Sequence, residues 1–176
     1  MKSLRLYATI VVVVLLVVPA WATTVIRMDL QTLVQESDSI VQGRVEHVDA
    51  QWDDQKKTIF TYVFVRVHDP LKGDFRPTVL IRQLGGKVGD MNLSIIGMPA
   101  FRSGEEVIVF LKSNPIEATY HVVGLTQGKY EVADDFAVAN ASGIELMDRK
   151  TGQIEAGLFT KQPLETFKSQ IRSMVK

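Results

Sequence analysis

Of the 20 carboxylates, Asp90, Glu105 and Glu106 are the first to test for proton transfer were this chain a small hydrolase, and only His47, His68 and His121 could serve as imidazole ligands. Acidic residues scattered over strands would suit a small hydrolase, because catalytic carboxylates meet only in the fold. No two histidines lie at i, i+4 spacing, and none stands in a His-Glu-x-x-His arrangement. Asp53-Asp54 and Asp134-Asp135 lack the alternating acid pattern of a calcium loop and read as turn carboxylates. Ser94 and Ser103 have no Gly-x-Ser-x-Gly context. The chain contains no cysteine, which removes thiol catalysis, thiolate metal sites and disulfides. The sequence therefore predicts no catalytic residue, no metal and no cofactor.

Two other constellations fit recognition better than reaction. Gly85-Gly86-Lys87-Val88-Gly89-Asp90 has the glycines of an anion-binding loop, but not the Gly-x-x-x-x-Gly-Lys-Ser/Thr spacing or a following helix. It reads as the start of a long flexible connection that continues through Gly97-Met98-Pro99 to Phe101. Its recognition candidates are Gly85, Gly86, Lys87, Asp90, Met98 and Phe101. The second constellation is the segment Thr58 to His68. Strand alternation puts Ile59, Thr61, Val63, Val65 and Val67 on one face and Phe60, Tyr62, Phe64, Arg66 and His68 on the other. Phe60, Tyr62 and Phe64 form either an exposed aromatic binding face or a second buried face beneath the C-terminal helix.

The elements that must position these residues are mostly strands. Asp29 is placed to cap a short helix in which Leu30, Leu33 and Val34 share one face, ending near Ser37-Asp38. Ile40 to Val48 reads as a strand with a bulge at Gly43, and a polar turn joins it to Thr58 to His68 as a hairpin. Further strands are expected at Thr78 to Leu84, Val107 to Leu111, Tyr120 to Val123, Lys129 to Val132, Phe136 to Ala139 and Ile144 to Met147. Val107-Ile108-Val109-Phe110-Leu111 is an unbroken apolar run, the pattern of a strand buried on both faces. Pro163 opens an amphipathic closing helix carrying Leu164, Phe167 and Ile171. This order predicts a mainly β fold: a small antiparallel Greek-key barrel of the OB type, with a short N-terminal helix and an amphipathic C-terminal helix. An immunoglobulin-like sandwich is the alternative.

Compartment is read from the front of the chain. Lys2 and Arg5 precede an apolar run from Leu6 to Val18, and Pro19 leads into Ala20-Trp21-Ala22, a small-x-small cleavage site. Residues 1–22 are expected to be a cleaved export signal, too short in its apolar part to span a bilayer. Residues 23–176 then form one domain, periplasmic or secreted, without stable membrane insertion. Without cysteine no lipid can be attached after the signal, and an exported chain of this size lacking disulfides fits a bacterial source. Losing Lys2 and Arg5 from 20 basic and 20 acidic residues leaves 18 against 20, a net charge of −2. That balance argues against a nucleic-acid partner.

One order of blocks carries a resemblance: Glu36-Ser37-Asp38-Ser39-Ile40-Val41, Gly43-x-Val45, a long strand containing Tyr62, Leu71-Lys72-Gly73, and Gly104-Glu105-Glu106 before Val107. Over Leu30 to Leu111 the chain is similar to a group of uncharacterised exported bacterial proteins. More distantly it resembles the netrin-like OB module of tissue inhibitors of metalloproteinases. The resemblance implies an OB barrel and a protease-inhibitor-like role. It departs at the front, where those inhibitors present a disulfide-fixed N-terminal cysteine to a zinc and this chain would begin at Thr23. The reading that follows is an exported, non-catalytic binding module for a protein partner or an envelope component. The alternatives are a small envelope hydrolase using Asp90, Glu105 and Glu106, and a structural subunit of an envelope assembly.

Overall fold

The computed structural model describes residues 24–175, so the expected export signal and Thr23 lie outside the described residues. Among the described residues the chain is mainly β, with two α-helices. In chain order the strands are β1 (Thr24–Ile26), β2 (Ser39–Trp52), β3 (Ile59–Lys72), β4 (Thr78–Leu84), β5 (Gly86–Val88), β6 (Met91–Leu93) and β7 (Glu106–Asn114). They continue as β8 (Thr119–Val122), β9 (Lys129–Ala133), β10 (Phe136–Asn140), β11 (Glu145–Met147), β12 (Ile154–Ala156) and β13 (Phe159–Pro163). Helix α1 spans Leu30–Glu36 and helix α2 spans Leu164–Met174. Neither is long and apolar enough to cross a membrane.

Eight strands form one sheet in the order β13-β10-β9-β7-β2-β3-β4-β8. The far edge of β8 returns to pair with β7, Leu111 opposite Val122, so β2, β3, β4, β8 and β7 make a ring. Its narrowest seam is a single parallel contact between Ile81 of β4 and Tyr120 of β8. The 14-residue strand β2 serves two neighbours, β3 along its whole length and β7 over Ser39–Arg44, and its register shifts at three places, one between Gln42 and Gly43. Such shifts bend a strand and let a small sheet curl on itself.

Strand alternation sorts the apolar residues into two cores. Val41, Val45, Val63, Val65, Ile81, Val107, Val109 and Leu111 fill the inside of the ring. Ile108 and Phe110, the intervening residues of β7, point the other way and pack with Leu33, Val34, Phe167 and Ile171 of the two helices. The unbroken run in β7 is thereby explained, since both of its faces are covered and all five residues are fully buried. Each such side chain contributes roughly 1.5–3 kcal/mol by leaving water.

The expected acidic turns have local roles. The Asp53 carboxylate accepts from the amides of Lys57 and Thr58, closing the β2–β3 hairpin. Asp134 and Asp135 both adopt positive φ in the two-residue turn between β9 and β10, the signature of a primed hairpin turn.

Two expectations need correction. The connection from Gly85 to Phe101 is not a featureless flexible loop; it contains the hairpin β5–β6, with Val88 opposite Met91. Helix α2 does not cover Phe60, Tyr62 and Phe64, because its apolar side is taken up by Phe110, Tyr130 and Ala137. It touches β3 only at the far end, where Lys168 and Arg172 bind Asp69. Strands β1, β12 and β13 had no sequence signal: they are short and their side chains are mostly exposed, so neither burial nor alternation marks them.

Candidate functional site

The outward face of β3 is built by its pairing with β2 and β4. Register places Gln51, Asp49 and His47 of β2 opposite Phe60, Tyr62 and Phe64, and Leu84, Arg82 and Leu80 of β4 on their other side. The three aromatic rings are half-buried and stand in a row, because the inward residues Ile59, Thr61, Val63 and Val65 are committed to the barrel interior. Directly opposed residues on a sheet lie close enough for their side chains to touch.

Arg82 organises one end of this row. Its guanidinium lies 3.6 Å from the centre of the Phe60 ring. Its Nη1 donates to both carboxylate oxygens of Glu117 at 2.6 Å, while Nε is buried without an acceptor among the described residues. Glu117 also accepts from Asn114 Nδ2 at 3.0 Å, so the β7–β8 turn is tied to the aromatic face. At the tip of that turn Ile116 is 95 % exposed. At the other end the His47 ring stands 6.0 Å from Phe64. The face therefore offers aromatic surface, a stacked cation and an exposed aliphatic rim, a combination in which aromatic and Arg side chains are the types that dominate binding hot spots.

The Gly85-to-Phe101 segment closes one mouth of the barrel beside this face. The amide of Gly85 donates to the Ile59 carbonyl at 2.8 Å, and Thr61 Oγ1 donates to the Gly85 carbonyl at 2.6 Å. Further along, Gln83 Nε2 donates to the Pro99 carbonyl at 2.9 Å and Phe101 packs against the barrel core. Lys129 lies over the Phe101 ring at 4.8 Å, donates to the Ala100 carbonyl and pairs with Glu105 at 2.9 Å. Of the six residues expected from sequence, Gly85, Gly86, Met98 and Phe101 are thus half-buried or buried parts of this closure. Lys87 and Asp90 are exposed at the hairpin. A small cleft of about 170 Å³ lies between the hairpin and the β2–β3 turn, lined by Trp52, Lys57, Ile59, Met91 and Leu93.

The carboxylates do not share a site. Glu105 is held by Lys129 and by the Arg102 amide, Glu106 pairs with His68 at 2.8 Å, and Asp90 is exposed. Among the described residues no group of three His, Cys, Asp or Glu side chains could hold a metal ion. Arg82, Glu117, Ile116 and Trp52 escaped sequence reasoning, since their place depends on which strands pair; the signal in the sequence was limited to the alternation around Phe60.

No family model matches this chain, and no curated protein matches it in sequence.

Proposed function

We propose that this is an exported, non-catalytic binding module of the netrin-like OB type that recognises a protein partner or an envelope component through the outward face of β3 and β4. The observation that carries the reading is the row Phe60, Tyr62 and Phe64, half-exposed, free of the closing helix and flanked by Arg82. The ring order β2-β3-β4-β8-β7 supports it, because five-stranded OB barrels bind ligands on the face of their second and third strands and on the loops after the first and fourth. In this chain those are β3, β4, the turn at Asp53–Thr58 and the turn carrying Ile116 and Glu117. The near-neutral charge favours a protein or uncharged envelope surface over a polyanion.

The test is capture from envelope and medium fractions by the native chain and by the paired variant Tyr62→Ala/Phe64→Ala. A stoichiometric partner retained by the native chain and lost by the variant, at unchanged secondary structure, supports the reading. If that partner is a secreted zinc protease, the inhibitor-like role gains weight; no inhibition of such proteases at micromolar protein removes that role. Partner capture unaffected by the paired variant overturns the assignment of the face.

A further inference from the structure

The turn between β7 and β8 carries Ile116, which at 95 % is the most exposed large apolar side chain among the described residues. A single exposed aliphatic residue is ordinary on a protein surface. The firmness with which the chain holds this one is not. Asn114 and Thr119 face each other as the last pair of the ladder, so the loop between them has four residues. The Asn114 carboxamide spans that loop: Nδ2 donates to Glu117 Oε2 at 3.0 Å, and Oδ1 accepts from the Glu117 amide at 3.4 Å. Pro115 locks its own φ. From β4, Arg82 Nη1 donates to both Glu117 oxygens at 2.6 Å while its guanidinium stacks on Phe60. Behind the loop Thr119 is buried and Tyr120 packs on the barrel core.

This rigidity has a cost. Ala118 stands at φ +52°, a left-handed conformation that strains any residue with a Cβ. Arg82 Nε is buried without an acceptor among the described residues. A strained backbone and an unsatisfied donor gathered around one turn point to a shape kept for what it presents. Here that is a bare aliphatic side chain on a fixed backbone, and branching at its Cβ leaves it few rotamers.

We infer that Ile116 is an anchor residue that enters an apolar pocket of a protein partner. The inference rests on the reading of the β3–β4 face as a binding surface and names the kind of partner that face takes. An aliphatic side chain has no hydrogen bond to offer, so its burial is favourable only in an apolar cavity, which folded proteins contain and a hydrated glycan does not. A lipid surface fits less well, because a lipid-binding tip keeps cations available for headgroups. Beside this turn Arg82 is engaged by Glu117, and Lys112 by Asp38. Arg82 also joins the turn to Phe60, so one partner spans the aromatic row and the tip. An anchor already fixed in the free protein loses little freedom on binding.

Photo-crosslinking in the native host tests it, with a benzophenone side chain in place of Ile116, of Tyr62 or, as a control, of Gln170 on helix α2, each in the full chain. The same protein is expected to be joined from the Ile116 and Tyr62 positions and not from that of Gln170. Ile116→Ser is expected to lower the yield from the Tyr62 position about tenfold or more, and Ile116→Leu, which keeps the aliphatic volume, to hold it within about threefold. Thermal melting of both variants is expected to match the native chain, since a side chain so exposed contributes little to folding. Undiminished crosslinking from the Tyr62 position in the Ile116→Ser chain overturns the anchor and leaves the face standing. A partner joined from the Ile116 position and not from that of Tyr62 overturns the face and leaves the anchor standing. Adducts from the Ile116 position with lipid, with a second copy of this chain or with nothing overturn the inference.

Discussion

The ε-ammonium of Lys72, at the end of β3, donates to the carbonyl of Val34 in helix α1 at 2.6 Å, and the carbonyl of Ser37 accepts from it at the same distance. The last carbonyls of a helix have no partner inside the helix and carry partial negative charge, so a cation placed there satisfies them and favours the dipole. A residue of the Leu71-Lys72-Gly73 block thus joins the short helix to the barrel. Asp38, from the first block of the resemblance, fastens the other side of the same junction, since its carboxylate accepts from Lys112 Nζ at 2.9 Å and from both the amide and hydroxyl of Ser113.

Lys72→Ala leaves two helix carbonyls without their cationic donor at a partly buried position. The loss expected is about 1–2 kcal/mol of unfolding free energy. Urea unfolding followed by circular dichroism measures it, and an unchanged midpoint would show that water replaces the ammonium at no cost. Capture by the β3–β4 face should stay as in the native chain, since Lys72 lies at the opposite end of β3 from Phe60.

Asp38 makes acid stability a second observable. The hydrogen bond from Lys112, followed by those from Ser113, holds its carboxyl down to about 2, below the ordinary value near 4. A group depressed in the folded state stabilises fully above its unfolded value and loses that contribution as pH falls through the folded one. Asp38→Asn should therefore melt below the native chain at pH 5 to 7, and the gap should close between about pH 4 and pH 2. A constant gap across that window would mean that Asp38 acts by shape rather than by charge.

These two residues show what a sequence of this kind discloses. The blocks that carry the resemblance turn out to fasten elements together: Lys72 caps a helix, Asp38 binds β7, and Glu105 is paired with Lys129 beneath Phe101. Such residues speak for architecture and say little about a ligand. The apolar run of β7 and the alternation through Thr58 to His68 were legible because burial dictates them residue by residue. The stacking of Arg82 on Phe60 and its tether to Glu117 were not, because they depend on the register between β3 and β4 and on where the β7–β8 turn arrives. Nor were β12 and β13, whose exposed residues leave no periodic trace.

The glycine pair that resembles an anion loop has a different explanation, and it can be tested by contrast. Gly86 has φ of +139°, and a Cβ there would lie 2.5 Å from Thr61 Oγ1 and 2.9 Å from the Ala50 Cβ. The hairpin seats on the barrel mouth only because nothing projects from that position. Gly89, in the turn of the same hairpin, has φ of +57° but no atom within 4 Å of where its Cβ would be. Gly89→Ala should cost only the left-handed backbone term, about 1 kcal/mol. Gly86→Ala adds a clash with packed neighbours and should cost about 2–4 kcal/mol, with hydrogen exchange rising first at the Gly85 amide, which bonds to Ile59. Equal costs at the two positions would mean that the hairpin is not held against the barrel, and the cleft beside Trp52 and Met91 would then be no fixed feature of the site.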